Sequence, residues 1–171
     1  MYGAPRPSAD DLAAMRRAFG SWADRDEDSA TLVDRLRTGS RLGQGAWTVL
    51  VDTSVLIDYL RGHPKAGRLL ERERKLALLH ASEITRLEIL AGMRAVEEET
   101  TRALLSTLVW HPVDEVVSEE AGSLGRQWLP SHHTIDGADL AIAATAIVKR
   151  ARLLTRNIRH FPMFAELKPP Y

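Results

Sequence analysis

From Thr48 onward the apolar positions fall in short blocks that alternate between the period of a strand and the period of a helix. Thr48 to Asp52 is a brief apolar run, as expected of a parallel strand covered on both faces. A helix follows to about Leu60, and Pro64 opens another that runs to about Arg74. Leu76 to His80 reads as the next strand, Ser82 caps a helix to Gly92, and Glu97 to Leu108 is helical. Val109 to Val113 is a third strand, followed by helices from Asp114 to Trp128 and from Asp136 to Arg150. Arg152 to Thr155 is the last strand. This alternation predicts an α/β domain over 48–171, with a central, largely parallel sheet flanked by helices.

Residues 1–47 have a different character. Ser8 can cap a helix through Phe19, with Leu12, Met15 and Phe19 at helical spacing and Gly20 as its stop. An acidic run, Asp24 to Asp28, precedes a second short helix carrying Leu32, Val33 and Leu36 on one face. Gly39 to Gly45 reads as a linker. Two such helices bury little against each other, so the segment is expected to be an arm lying on the larger domain.

Composition narrows the chemistry. The chain has 23 basic and 23 acidic residues; divided before Thr48, the balance is 7 and 7, then 16 and 16. No basic excess marks a general polyanion binder, so a nucleic-acid substrate has to be argued from a site. The absence of cysteine removes disulfides and thiolate metal centres. No apolar run is long enough to span a bilayer and the chain does not open on a secretory signal, which suits a cytoplasmic protein.

The carboxylates fall where such a scaffold gathers ligands. Parallel α/β sheets bind them beyond the carboxyl ends of the strands, and Asp52 closes the first strand. It would also serve as a helix cap. In the helix from Ser82 the stripe Ile84, Leu87, Glu88, Ala91 places a carboxylate where an apolar residue is expected. Asp136 and Asp139 share one face at the start of an almost wholly apolar helix, where capping is the competing explanation. Asn157 follows the last strand and would otherwise be a turn residue. Carboxylates without cysteine or paired histidine select hard cations, Mg²⁺ or Mn²⁺. His132, His133 and His160 lack zinc spacing and read as surface groups or supports behind the site.

Four blocks in order then resemble a PIN-domain toxin of the VapC type. They are Val51-Asp52-Thr53-Ser54, Ser82 through Leu90, Asp136-x-x-Asp139 through Ala146, and Leu154-Thr155-Arg156-Asn157. The tail from Arg156 to Tyr171 looks like a common ending in that family. The resemblance implies a ribonuclease whose Mg²⁺ or Mn²⁺ is held by Asp52, Glu88 and Asp139, with Asn157 in a position that is aspartate in many members. Asp136 would partly replace that charge, and Thr53, Ser54 and Thr155 would supply hydroxyls near the metal. Phe19 through Asp26, followed by Leu32 through Arg37, resembles the end of a VapB-type antitoxin.

The resemblance further implies an RNA substrate, a homodimer and a cognate antitoxin tail, here attached to the chain itself. Arg35, Arg37 and Arg41 are the residues of this arm that could enter the acidic site, within one chain or across the dimer. The linker 39–47 extends about 30 Å at roughly 3.3–3.6 Å per residue, barely enough to round the domain edge. Leu56, Tyr59 and Leu60 are either dimer contacts or core. An aspartyl-phosphate phosphohydrolase is disfavoured, because the second acid it needs would stand at Ser54. A self-inhibited or degenerate PIN domain that binds without cleaving is the main alternative.

Overall fold

The computed structural model describes residues 9–23 and 48–171. The expected second arm helix, the linker and Arg35, Arg37 and Arg41 lie outside the described residues. The run Val49–Val51 forms β1, an inner strand. β2 is Leu79–Ser82, β3 Leu108–His111 and β4 Arg152–Leu154. The sheet has four strands in the order β3-β2-β1-β4, and every neighbouring pair is parallel. Val49 and Val51 point into one core and Leu50 into another, as strand alternation requires.

Helices cover both faces. The first core takes in α2 (Thr53–Leu60), α3 (Pro64–Leu76), Ile89 of α4 (Glu83–Gly92) and Leu104 and Leu105 of α5 (Glu98–Leu105). The second is built by α6 (Glu115–Trp128), α7 (Gly137–Val148), Phe161 and Phe164. All of α2 is buried, so Leu56, Tyr59 and Leu60 are core residues and offer no dimer surface. Among the described residues no helix is long and apolar enough to cross a membrane.

β1 runs to β2 on one side and neighbours β4 on the other, which makes the β1–β4 boundary the point where strand order reverses. Open parallel sheets leave a crevice there, beyond the carboxyl ends of the strands. The main chain binds across it, Asp52 N–H donating to Leu154 O at 2.9 Å.

The α3–β2 and α5–β3 junctions differ from the sequence reading. β2 starts at Leu79, because α3 continues to Leu76, whose side chain is 77% exposed. β3 begins one residue early, and α5 ends at Leu105. Apolar leucines at 76, 78 and 79 mark both a helix end and a strand start, and periodicity alone does not divide them.

The first part of the arm lies on the domain. α1 (Ala9–Ala18) buries Ala14, Met15 and Ala18, and Trp22 behind it is fully enclosed, its Nε1 donating to Thr101 Oγ1 at 3.1 Å. Phe19, expected on the buried face, stays 41% exposed and stands edge-on to Tyr59. Gly20 N–H donates to Tyr59 O and Trp22 N–H to Leu60 O, at 3.2 and 2.7 Å. Gly20 and Gly62 both have positive φ, and a Cβ on Gly62 would meet Gly20 Cα at 3.0 Å. The two segments of the chain cross here, where neither position carries a side chain.

Candidate active site

Asp52 leaves β1 with an extended backbone and caps α2, its Oδ2 accepting from Ser54 N–H at 3.2 Å. Ser54 Oγ donates to the same oxygen and accepts from Arg156 N–H at 3.1 Å. With that proton committed to Asp52, the 3.4 Å contact between Ser54 Oγ and Thr155 Oγ1 has Thr155 as donor. Thr155 Oγ1 accepts in turn from Asn157 N–H at 3.0 Å. One serine hydroxyl therefore joins the ends of β1 and β4.

Glu88 reaches this cluster from α4. Thr53 Oγ1 donates to Glu88 Oε2 at 2.5 Å, which sets the carboxylate against the residue next to Asp52. The buried positions of α4 are Thr85, Glu88 and Ile89, whereas Leu87 is 62% exposed. The apolar stripe inferred from Ile84 and Leu87 was thus out of phase, yet Glu88 lies on the buried face. Ser82 Oγ caps this helix through Ile84 N–H and accepts from Thr145 Oγ1 of α7 at 3.3 Å.

Asp139 is fully buried in the first turn of α7, and Asp136 is its exposed N-cap. The two form a capping box: Asp136 Oδ1 accepts from Ala138 and Asp139 N–H, and Asp139 Oδ2 accepts from Asp136 N–H at 3.1 Å. His160 stands behind Asp139. Its Nε2 accepts from Arg159 Nε at 3.1 Å, which leaves the ring proton on Nδ1, 3.6 Å from Asp139 Oδ2. His160 is wholly buried, so of the two roles open to it in the sequence, support behind the site is the one its position permits.

Asn157 Nδ2 and Thr85 Oγ1 are among the buried polar atoms without a hydrogen-bond partner among the described residues. Thr85 lies one turn before Glu88 on the same face of α4. Buried donors of this kind cost stability unless something binds them.

A PIN-domain model matches residues 49–167. The chain belongs to the PIN-domain family. Ribonuclease VapC19 of Mycobacterium tuberculosis is 47% identical over 123 residues, 71% of this chain and 98% of that protein. Ribonuclease VapC10 of the same species is 41% identical, covering 72% of this chain and 92% of the relative. Among solved structures, a toxin–antitoxin complex from Klebsiella pneumoniae superimposes with a TM-score of 0.62 at 28% identity, over 72% of this chain and 98% of that one.

The candidate donors are chemically uniform. Asp52, Glu88 and Asp139 are buried oxygen donors, with the Thr53 and Ser54 hydroxyls turned onto the first two, and hard cations prefer such ligands. The donor types fit Mg²⁺ or Mn²⁺. As positioned, however, no three Asp, Glu or His side chains among the described residues form a ready-made metal cage. Thr85 and Asp58 were not singled out in the sequence, because their places beside the candidate site depend on contacts between distant segments. Only the identity of Asp58, a carboxylate inside the apolar run 55–60, hinted at one of them.

Proposed function

We propose that the chain is a Mg²⁺- or Mn²⁺-dependent endoribonuclease, the toxin of a toxin–antitoxin pair, with a nuclease domain at 48–171 and an antitoxin-tail-like arm at 1–47. The observation that carries this reading is the continuous run of hydrogen bonds from Glu88 through Thr53 to the Asp52–Ser54 turn, and on to Thr155 and Asn157 across the strand switch point. Asp52, Glu88 and Asp139 would hold the ion, which supplies charge neutralisation on phosphate oxygens and activation of a water. Ser54 and Thr53 fix the rotamers of Asp52 and Glu88, as outer partners of metal ligands do. The Asn157 amide, whose Nδ2 has no described partner, would donate to an RNA phosphate oxygen. Asp136 stays at the rim as the cap of α7. The ribonuclease names of the relatives and the toxin–antitoxin neighbour favour RNA as substrate and an antitoxin as partner.

The arm would restrain this site. Residues 9–23 dock through Trp22, and residues 24–47, which reach up to roughly 80 Å when extended, carry Arg35, Arg37 and Arg41. A guanidinium is the cation best shaped to bridge several carboxylates, within one chain or across a homodimer. The docked segment also favours a second reading, a self-inhibited PIN domain that binds RNA without cleaving it.

The test is cleavage of structured RNA by the full chain and by Arg35→Ala/Arg37→Ala, each with Mg²⁺, Mn²⁺ or chelator. The expected result is metal-dependent cleavage, faster in the double variant and abolished by Asp52→Asn. Cleavage that ignores both chelator and Asp52→Asn would overturn the site. RNA binding with no cleavage in either protein would favour the second reading.

A further inference from the structure

Asp58 is 1% exposed in α2, among Val55, Leu56, Ile57, Tyr59 and Leu60. A hydrophobe would fill this position without the cost of a buried charge, so the carboxylate requires an explanation. Its Oδ2 accepts two hydrogen bonds, from Arg156 Nη1 at 2.6 Å and from Tyr171 Oη at 2.9 Å. The Arg156 guanidinium lies 5.7 Å from the centre of the Tyr171 ring, and the His63 ring lies 5.4 Å from it on centroids. Burial first, then Asp58 and more weakly Asp52, push the Tyr171 hydroxyl far above its ordinary pKa, so it stays a donor.

Arg156 is held to α2 twice. Its main-chain N–H donates to Ser54 Oγ and its guanidinium to Asp58, and these partners are one helical turn apart on the same face. Arg156 lies between Thr155, whose hydroxyl meets Ser54 Oγ at the β1–β4 junction, and Asn157, whose main-chain N–H donates to that Thr155 hydroxyl. We infer that Asp58, Arg156 and Tyr171 form a clamp that positions Thr155 and Asn157 against Asp52. The inference rests on the ribonuclease reading for its consequence but not for its geometry. None of the three touches the reacting atoms in this account; they are positioning residues.

The test uses the full chain and the variants Tyr171→Phe, Arg156→Lys and Asp58→Asn. Amide hydrogen exchange is read at Arg156 and Asn157, with Leu50 as a core reference. Tyr171→Phe keeps the ring and removes one donor. It should speed exchange at both amides by about three- to tenfold, the worth of one such hydrogen bond, with Leu50 unchanged. Arg156→Lys, which loses the planar fork, should do more. Adding Tyr171→Phe to Asp58→Asn should add little, because both act through the same oxygen.

Where the wild type cleaves RNA, the variants should lower kcat about tenfold with KM nearly unchanged, as expected when only positioning is lost. A merely structural role would lower Tm and leave both kcat and local exchange alone. Unchanged exchange at Arg156 and Asn157 in folded Tyr171→Phe and Arg156→Lys overturns the clamp, whatever the activity. Wild-type chain that never cleaves RNA, with exchange accelerated as expected, leaves the clamp standing and removes the ribonuclease reading instead.

Discussion

Glu88→Gln separates charge from shape at the site. The amide still accepts from Thr53 Oγ1, so the local hydrogen bond survives. Loss of the charge should lower cleavage at least about a hundredfold, the upper end of what even the outer partners of metal ligands cost. Thermal melting without metal should show no loss of stability, because one member of a set of buried like charges is gone. A Tm that falls by many degrees would mean that Glu88 holds the fold. His80 and His111 give a second test. Their rings stack at 5.1 Å, with His80 Nδ1 and His111 Nε2 2.9 Å apart. Burial, and then His111, lower the His80 pKa to about 4, and burial and then Lys149 lower that of His111. A histidine depressed in the folded state is neutral there and takes up its proton more readily when unfolded. Its stabilising share is complete above the ordinary value of 6.5 and is lost as pH falls toward about 4. Tm should therefore drop across that interval, and His80→Asn should flatten the drop; an unchanged profile would contradict the assignment.

Trp22 is the anchor by which α1 and the turn behind it hold to α5 and the end of α2. Trp22→Ala should cost about 3–5 kcal/mol, the usual range for emptying a buried aromatic site, measured by denaturant unfolding of the full chain. Gly62→Ala should destabilise by about 1–3 kcal/mol, since its φ is positive and the new Cβ would press on Gly20. If both changes proved neutral, the docking of residues 9–23 would carry no weight in solution. The helices of the domain were legible because their caps and apolar faces are local signals: Ser82, Asp114 and Asp136 each cap the helix they were expected to open or precede. The start of β2 was not legible, since a run of leucines suits either element. On α4 the phase of the apolar stripe was misjudged by about a third of a turn, as short helices with exposed leucines allow. Of the candidate site, the positions of Asp52 and Asn157 after their strands were readable from the pattern, whereas the pairing of Asp58 with Arg156 joins segments far apart in the chain.

At the scale of the molecule, a protein of zero formal net charge buries Asp52 at the boundary where its strand order reverses, with Glu88 bonded to the neighbouring Thr53. Under the proposed function, affinity for RNA would come from the site and the cation it would hold rather than from net charge. Asp52 and Glu88 are joined through Thr53, while Asp139 is buried in the first turn of α7, a helix whose Thr145 bonds Ser82. Whether the three serve one ion is the central point, and Mn²⁺ binding measures it most directly. Calorimetric titration of the full chain, with Arg35→Ala/Arg37→Ala relieving the arm, should give a saturable site. Asp52→Asn, Glu88→Gln and Asp139→Asn, placed singly in that background, should each weaken it by at least about tenfold. Mn²⁺ affinity untouched by all three substitutions, in proteins that melt normally, would contradict a shared metal site.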